Sequence, residues 1–253
     1  MTAIARGLDE VPVSGRVERL ELITWRERYG VVAGITLRGN GFDLGLHSTD
    51  RTAGVIDRWH TLFADLAPRF RGFALGRQVH GTRVTPHDAA IGGWLVQDGI
   101  DGHLTGWPGN LLLVTVADCV PVYLVHPPSR TVALLHAGWR GTAAGMLESG
   151  MRALATASGG TATDIVMHCG VSICGACYEV GPEVHQAVCG QPTAGPHPLD
   201  LRAELVGRAT RLGVRTVTQS GWCTAHHADR FFSHRRSAGA DGRMAAYLGV
   251  PLA

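Results

Sequence analysis

Two histidines and one cysteine stand where short apolar runs of this chain end. His80 lies in RQVHG, Cys119 in TVADCVPVYL and His136 in ALLHAGWRGT. Imidazole nitrogen and thiolate sulfur are good zinc ligands, and three protein ligands leave the fourth tetrahedral position open for water or substrate. The chain has 13 His and 6 Cys, so residue types alone would allow many such triples. The shared position after a strand-like run selects these three and predicts a catalytic metal site.

The residues beside His136 indicate how a substrate could be held at such a site. In HAGWRG, Trp139 offers an aromatic surface for stacking and Arg140 a guanidinium that can bind an anion. The glycines around them imply a close approach of the backbone. Gln78, in QVHG, is a further candidate for contact with substrate or phosphate. A lone histidine would more often be a packing residue, and Arg140 could serve in a salt bridge, but the cluster favours a site.

Two carboxylates lie near these residues in the sequence. Asp118 directly precedes Cys119, and Asp101 follows the run GWLVQDGI. Both are candidate catalytic residues for proton transfer, because a hydrolytic metal site needs an acid outside the ligand set. Cys119 also allows another chemistry, in which it is the catalytic nucleophile of a cysteine hydrolase and His136 its base. A buried structural cysteine, with Asp118 capping the next turn, is a third interpretation.

Composition limits the possible classes of protein. The chain has 253 residues, of which 45% are hydrophobic and 17% charged, which is enough apolar material for a large core. A net charge of +2 gives no reason to expect a nucleic-acid partner. No charged-then-apolar leader is visible, and the apolar runs are far shorter than the roughly 20 residues that span a bilayer. We therefore expect a cytoplasmic protein without a membrane partner.

The cysteines are too few and too scattered for a disulfide framework, so reduced thiols are expected. Cys174 and Cys177 form a CxxC motif, which in other contexts binds zinc or acts as a redox pair. Because a second CxxC is missing, a zinc ribbon is not expected. The two residues are interpreted as cysteines of a loop or of the core.

The pattern of apolar residues predicts an α/β protein of the α+β type, with mixed β-sheets flanked by helices. No repeat or low-complexity tract divides the chain. The expected organisation is a loose leader over residues 1–15, followed by a single compact domain over residues 16–253.

Individual elements are predicted from spacing and from the residues that break it. Apolar residues at helical spacing predict a helix from Thr52 to Leu66, and an Ala-, Leu- and Met-rich segment predicts another from Thr142 to Ala157. WRERYG is expected to be a turn between two early strands. Runs rich in Val and Leu predict buried strands at Leu111 to Val116 and Thr131 to Leu135. These strands would place Cys119 and His136 at their ends.

Six segments of the chain occur in a specific order: QVHGTRV, DGHLT, TVADCVPVYL, HAGWRGT, GVSICGACYEVG and FFSHRR. In this order and spacing they resemble the laccase-domain family, also called multicopper polyphenol oxidase-like. Its members are described as zinc-dependent purine nucleoside phosphorylases. The resemblance extends from about Leu44 to Gly249.

The resemblance implies a compact domain of mixed sheets and a zinc ion bound by the two histidines and the cysteine described above. It also implies phosphorolysis of adenosine, inosine, guanosine and methylthioadenosine, and deamination of adenosine. Purine nucleosides and phosphate would then be the partners of the protein. Arg140, Arg58 and His47 are the candidates for holding the phosphate.

The laccase name implies copper instead of zinc. A multicopper oxidase needs clusters of imidazole ligands, and one three-ligand set stands out in this chain. A copper-dependent polyphenol oxidase, a cysteine hydrolase and a non-catalytic metal-binding protein remain the alternatives to the nucleoside phosphorylase.

The chain departs from the family pattern at three places. The usual Asn-Leu-Gly before His47 begins with Asp43 here, and the usual Asn-Arg pair of the next helix is Arg58-Trp59. In the segment that is commonly SIGPCCYEVG, Cys174 replaces a glycine and Ala176 a cysteine. These changes leave the three zinc ligands intact and fall near the expected substrate and phosphate contacts.

Overall fold

The computed structural model describes residues 3–6, 10–45 and 52–253. His47, one of the candidates for phosphate binding, lies outside these ranges. Within them, the strands form two seven-stranded sheets, here called sheet 1 and sheet 2, and one two-stranded sheet.

Sheet 1 combines parallel and antiparallel strands. In spatial order it contains β1 (Ala3–Arg6), β15 (Thr216–Gln219), β12 (Val166–Cys169), β10 (Val120–His126), β11 (Thr131–Ala137), β8 (Gly102–Thr105) and β6 (Val84–Pro86). The pairs β1–β15, β15–β12 and β8–β6 are parallel, and the central pairs are antiparallel.

Sheet 2 is mixed in the same way. In spatial order it contains β2 (Glu10–Val13), β3 (Arg19–Leu22), β4 (Val32–Thr36), β16 (Met244–Gly249), β9 (Asn110–Val116), β5 (Gly72–Arg77) and β7 (Gly93–Asp98). The neighbours β9, β5 and β7 are parallel, and the remaining pairs are antiparallel. The two-stranded sheet consists of β13 (Glu179–Val180) and β14 (His197–Pro198).

Helices cover the outer faces of the two sheets, except that Trp25 of the first helix packs between the sheets. Those in the described ranges are α1 (Ile23–Tyr29), α2 (Thr52–Leu66), α3 (Trp139–Ala144), α4 (Met146–Ser158), α5 (Pro182–Cys189) and α6 (Leu201–Arg211). The apolar face of α2 packs on sheet 2, whereas α4, α5 and α6 pack on sheet 1. None of the helices described is long and apolar enough to cross a bilayer.

The two sheets pack on each other through a third set of apolar side chains. Val114 of sheet 2 and Leu134 of sheet 1 belong to this layer, together with Trp25 and Tyr123. The hydroxyl of Tyr123 donates a hydrogen bond to the carbonyl of Gly34 across the interface, at 2.9 Å. The result is one domain of four layers, which confirms the predicted class of mixed sheets flanked by helices.

The helix predicted from Thr52 to Leu66 is present with those bounds, and the predicted strands correspond to β9 and β11. Two other local predictions need correction. WRERYG is not a turn but the greater part of α1, which ends at Gly30 in the left-handed conformation, with φ +65°. The helix expected over residues 142–157 is two helices, because Gly145 has φ +90° and interrupts the helix between α3 and α4.

The first 15 residues are not a loose leader where the structure describes them. Residues 3–6 form β1, which pairs in parallel with β15 at the edge of sheet 1. Residues 10–13 form β2, which pairs with β3 at the edge of sheet 2. Pro12 is compatible with this edge position, because an edge strand has one side without a ladder partner. The segment therefore contributes a strand to each sheet.

The chain passes from sheet 2 to sheet 1 at two places that carry candidate ligands. Residues 78–83 connect β5 to β6 and contain His80, and residues 117–119 connect β9 to β10 and contain Cys119. His136 lies near the end of β11, opposite Pro121 in the β10–β11 register. The strand ends therefore bring these three residues to one end of the two packed sheets.

Candidate active site

The side chains of His80, Cys119 and His136 lie together, and we call them the three-donor group. Their possible ligand atoms all lie within 4.8 Å of one another. The Sγ atom of Cys119 is 3.9 Å from Nε2 of His80, and the two imidazole rings are 4.8 Å apart, edge to face. For a tetrahedral zinc ion, a sulfur and a nitrogen ligand would be about 3.5 Å apart. The spacing is thus close to that of a metal site.

Asp101 fixes the loop that carries His80. Its carboxylate accepts hydrogen bonds from the backbone N–H groups of Val79, His80 and Gly81, at 3.0, 2.9 and 2.9 Å. His80 has φ +59°, a left-handed conformation that is uncommon for a residue with a side chain. The three hydrogen bonds to one buried carboxylate stabilise this conformation and so set the direction of the His80 side chain.

The same carboxylate orients His136. Oδ1 of Asp101 lies 2.8 Å from Nδ1 of His136, and the carbonyl of Asp101 accepts the backbone N–H of His136 at 2.7 Å. With Nδ1–H donated to Asp101, Nε2 is the nitrogen left to bind a metal. Burial raises the pKa of Asp101, but the hydrogen bonds from His136, Val79 and Gly81 lower it to about 2, so the carboxylate is ionised at neutral pH.

The charges and hydrogen bonds of the neighbouring histidines favour a thiolate on Cys119. Burial opposes ionisation of the thiol, but the charge and hydrogen bond of His136, followed by those of His80, lower the pKa of Cys119 to about 6. Burial likewise opposes protonation of His136, and the Cys119 thiolate and Asp101 carboxylate raise the pKa of this imidazole to about 9. A thiolate is the form of cysteine that binds metals and attacks electrophiles.

Gly138 permits the close approach of the three side chains. A Cβ atom at this position would lie 2.9 Å from Sγ of Cys119 and 2.9 Å from Cδ2 of His80. Such distances are too short for van der Waals contact, so a larger residue would displace one of the two donors. The glycine of HAGWRG that the sequence associates with close backbone approach therefore lies directly beside the candidate ligands.

A cavity of about 500 Å³ opens beside the three-donor group, and all three donors line it. Two aromatic side chains, Trp139 and Tyr178, contribute to its wall. Burial and the nearby Cys119 raise the pKa of Tyr178 to about 12, so that its hydroxyl stays protonated at neutral pH. The size of the cavity falls within the usual range for small-molecule sites.

Three arginines give this cavity a positive wall: Arg140, Arg235 and Arg243. The guanidinium of Arg140 stacks on the Trp139 ring, with its carbon 4.4 Å from the ring centre. No carboxylate in the described ranges lies within 4.0 Å of the Arg140 guanidinium. The salt-bridge interpretation of Arg140 therefore finds no partner in the described part of the chain.

The predicted residues Gln78 and Asp118 line the cavity but are held by the protein itself. The Gln78 amide bonds the backbone of Thr115 in both directions, at 2.8 and 2.7 Å. One carboxylate oxygen of Asp118 accepts the Thr224 hydroxyl at 2.5 Å, and the other accepts the backbone N–H of Arg235 at 2.6 Å. Both side chains thus connect strands or loops around the site while facing the cavity.

Arg58 lies apart from the three-donor group. It lines a different cavity, together with residues 16–18 and 39–42, and its Nε donates to the carbonyl of Asp43 at 2.6 Å. Its neighbour Trp59 is buried and donates Nε1–H to the carbonyl of Leu44 at 3.2 Å. The structure therefore does not bring Arg58 to the cavity that the three donors line.

Several residues of the cavity were not predicted from the sequence, namely Tyr178, His234, Arg235 and Arg243. The guanidinium of Arg235 lies over the Tyr178 ring, 4.9 Å from its centre, and donates to the carbonyl of Glu179 at 2.7 Å. The FFSHRR segment carries two of the four, and in the sequence it was one of the segments that carry the family resemblance. For Arg243 the sequence offers no signal.

The donor set of the three-donor group fits a metal ion. Two imidazoles and a thiolate with a lowered pKa are the ligands that zinc prefers, and Asp101 supplies the carboxylate that commonly supports a metal-binding histidine. With three protein donors and a cavity on the remaining side, the site would leave room for a substrate. The fold and site together define a mixed α/β domain with a candidate metal-dependent active site.

Comparison with known proteins places the chain in a family. Residues 23–251 match the family described as multi-copper polyphenol oxidoreductase laccase. The chain is 34% identical to the purine nucleoside phosphorylase YlmD of Geobacillus stearothermophilus, over 87% of this chain and 90% of that protein. It is 30% identical to adenosine deaminase RL5 of an unknown prokaryotic organism, over 85% and 92% of the two chains. The chain belongs to this laccase-like family, as its motifs predicted.

The fold agrees with this assignment. The crystal structure of YlmD from Geobacillus stearothermophilus superimposes with a TM-score of 0.82 and 28% sequence identity, covering 98% of this chain and 99% of that one. The domain described here therefore has the same fold as that structure.

Proposed function

We propose that the protein is a zinc-dependent purine nucleoside phosphorylase that acts on adenosine, inosine, guanosine and methylthioadenosine and also deaminates adenosine. The observation that carries the proposal is the three-donor group at the wall of a cavity that also presents aromatic and cationic side chains. A purine needs a stacking surface, and phosphate needs cations. The names of the relatives, purine nucleoside phosphorylase and adenosine deaminase, point to the same two reactions.

His80, Cys119 and His136 would hold the zinc ion. When bound there, zinc would supply Lewis acidity to polarise an oxygen atom of the substrate or of water. Asp101 holds His136 with Nδ1–H inward and keeps the His80 loop in place. We assign Asp101 this positioning role because its carboxylate is fully buried and occupied by four hydrogen bonds from the protein.

The cationic wall of the cavity would bind the phosphate. Arg140 is the foremost candidate, because its guanidinium is fixed on Trp139 and faces the cavity. Arg235 and Arg243 add positive charge to the same wall. In phosphorolysis these residues would hold phosphate against the anomeric carbon of the ribose while the purine leaves. Asp118 is the carboxylate that faces the cavity and is the candidate for proton transfer.

Zinc fits the donor set better than a copper cluster. Within the described ranges, the side chains that could hold a metal form two groups of three or more donors, with two histidines in one and one in the other. A multicopper oxidase needs several copper ions held mainly by imidazoles. The family name refers to copper, but the donors of this chain do not suit a copper cluster. They support a single zinc ion at the cavity.

The test is a chromatographic assay of zinc-loaded protein with adenosine or inosine, with and without phosphate. The expected products are the free base and ribose 1-phosphate in the presence of phosphate, and inosine from adenosine in its absence. The Cys119→Ala variant should form neither, and Cys189→Ala, which changes a cysteine outside the cavity, should form both. Lack of conversion by the zinc-loaded protein under every condition would contradict the proposal.

A cysteine hydrolase is the second candidate function. In this interpretation Cys119 is the nucleophile, His136 is its base, and Asp101 orients the base through the hydrogen bond to Nδ1. The pKa of Cys119 is lowered to about 6, as a nucleophile requires. The position of His80 favours a metal, because a hydrolase of this kind needs no second imidazole at the sulfur. A hydrolase would keep its activity after complete chelation and lose it on alkylation of Cys119, whereas the zinc enzyme would lose activity on chelation and regain it with zinc.

A further inference from the structure

Four other metal donors lie together beside the cavity, and we call them the four-donor group: Cys174, Cys177, Cys223 and His226. The first two lie in the loop that follows β12, and the last two lie in the loop that follows β15. The two loops are joined by backbone pairing. Ser172 and Cys223 form an isolated parallel β-bridge, and the Thr224 N–H donates to the Ser172 carbonyl at 3.2 Å.

The geometry of the group is that of a compact tetrad. All four possible ligand atoms lie within 4.8 Å of one another. Sγ of Cys177 is 3.1 Å from Nε2 of His226, and Sγ of Cys174 is 3.9 Å from Nδ1 of the same ring. In a tetrahedral zinc site, two sulfur ligands are about 3.8 Å apart and a sulfur and a nitrogen about 3.5 Å apart. The group is therefore compact enough for its four residues to share one ion.

The chemistry of the group is that of a structural zinc site. Three thiols and one imidazole make up the Cys₃His set, and the sequence supplies them as C-x₂-C and, later, C-x₂-H. Sγ of Cys223 also accepts the backbone N–H of Cys174 at 3.3 Å, a contact that stabilises a thiolate. A neutral thiol is only a weak hydrogen-bonding group, so three of them around one imidazole do little for the fold without a metal.

We propose that Cys174, Cys177, Cys223 and His226 bind a second zinc ion, whose role is structural. This site has four protein donors, so its coordination shell would be complete, in contrast to the shell of the three-donor group. The proposal depends on the donors alone and holds whichever reaction the cavity catalyses.

The proposed ion would fasten together two segments that form the cavity wall. The segment with Cys174 and Cys177 also carries Ile173 and Tyr178, and the segment after His226 carries Arg235, all of which line the cavity. Binding both segments to one metal ion would hold the aromatic and cationic parts of the wall at a fixed separation.

Asp118 connects this region to the three-donor group. Its carbonyl accepts the N–H of Ile173 at 3.1 Å, and its carboxylate accepts the Thr224 hydroxyl and the Arg235 N–H. Asp118 has φ +84° and directly precedes Cys119. The loops that the second zinc ion would fasten therefore also hold the backbone on which the candidate ligand Cys119 is mounted.

The alternative is a redox pair, in which Cys174 and Cys177 form a disulfide and lose two electrons to an oxidant. The two chemistries differ in the state of the thiols in freshly purified protein. Zinc binding requires the ligand cysteines to be reduced, and all six cysteines are free in the structure. A thiol count under denaturing, metal-chelating conditions, without reductant, should then give about six. A count of about four would overturn the zinc proposal in favour of the disulfide.

Zinc content measured by elemental mass spectrometry tests the proposal directly. We expect about two zinc ions per chain in the unaltered protein and about one in the His136→Ala variant, which disrupts only the three-donor group. Cobalt substituted into that variant should give the intense absorption of several thiolate ligands. A His136→Ala protein that folds and binds no metal would overturn the proposal, and this variant leaves all four proposed donors unchanged.

Variants of the donors assign the ion to the four-donor group. Cys177→Ser and Cys223→Ser, each combined with His136→Ala, should bring the zinc content close to zero, whereas Cys189→Ser in the same background should leave about one ion. Cys189 is the matched control, because it is half-buried and lies in neither donor group. Zinc retained after loss of both Cys177 and Cys223 would overturn the assignment.

Discussion

The three-donor group and the four-donor group use the same donor types but differ in what surrounds them. The first has three donors and lines a cavity of about 500 Å³. The second has four donors from two loops that pack against each other. Zinc takes four ligands in both kinds of site, so the number of protein donors decides whether a substrate can reach the metal. Three protein donors leave one position of the metal open for a reaction, whereas four donors complete the shell of a structural ion.

The two groups also differ in the support behind the donors. A single buried carboxylate, Asp101, holds both histidines of the three-donor group, one through its ring and the other through its backbone. In the four-donor group the support is the hydrogen bond from the Cys174 backbone N–H to Sγ of Cys223, together with the pairing of two loops. We expect the first group to be preorganised by the protein, and the second to gain its order mainly from the metal.

Replacing Cys119 with Ala gives the largest expected effect on activity. The change removes one of the three proposed protein ligands, so the proposed phosphorolysis should fall by on the order of 10³-fold or more. The zinc content should fall by about one ion per chain, with the ion of the four-donor group retained. Assays with inosine and phosphate, together with elemental analysis, check this outcome. Equal loss of both ions would show that the two groups are not independent.

Replacing Asp101 with Asn should weaken zinc binding at the three-donor group by about 10- to 100-fold, because the histidines lose the charged acceptor that orients them. Competition with a chelator measures the affinity. Asp98→Asn is the control, because Asp98 is an exposed carboxylate bonded to Arg77.

The same variant distinguishes a positioning role from proton transfer. If Asp101 positions the ligands, saturating zinc should restore most of the activity and leave the pH profile of kcat unchanged. If Asp101 were the general acid, kcat would stay low at saturating zinc and the profile would lose one limb. That result would contradict the role assigned to Asp101 here.

Replacing Arg140 with Ala should raise the KM for phosphate by about 10-fold with a small effect on the KM for inosine, because a hydrogen-bonded charge is lost from the cavity wall. Arg140→Lys should recover part of the affinity. The matched control is Arg58→Ala, because Arg58 lines a different cavity. Steady-state kinetics with varied phosphate check both variants, and an equal effect of Arg58→Ala would contradict this placement of the phosphate.

Replacing Gly138 with Ala should lower zinc affinity by about fivefold or more, because forcing a methyl group into a packed site costs about 1–3 kcal/mol. The added Cβ would lie 2.9 Å from atoms of both Cys119 and His80. Gly92→Ala is the control, since a Cβ at that position meets no atom within 4 Å. Titration with zinc in the presence of a chromophoric chelator compares the two. Equal affinities would show that the three-donor group can shift without loss.

The sequence predicted those parts of the site that belong to strand ends. Apolar runs locate β9 and β11, so the position of Cys119 after β9 and that of His136 near the end of β11 follow from local pattern alone. The helix from Thr52 to Leu66 follows from its spacing in the same way. Prediction failed where one residue changes the local conformation, as at Gly145, whose positive φ divides an apparently continuous helix into two.

The remaining parts of the site depend on contacts between distant segments. The partnership of Asp101 with His80 and His136 spans 21 and 35 positions, and no local pattern contains it. The four-donor group was missed because the CxxC was judged by the absence of a second CxxC. The pair Cys223-x₂-His226 was a usable signal, but it lies far along the chain, after α6 and β15. Folding, and not spacing, brings these residues together.

The two connections that carry His80 and Cys119 from sheet 2 to sheet 1 link metal binding to the packing of the sheets. His80 and Cys119 each lie on a segment that leaves sheet 2 and enters sheet 1, and His136 belongs to sheet 1 itself. A small sliding of one sheet over the other would therefore alter the distances among the donors. Zinc affinity should therefore depend on how the two sheets pack on each other. Truncation of an apolar side chain between the sheets, such as that of Val114, would weaken metal binding although the side chain contacts no ligand.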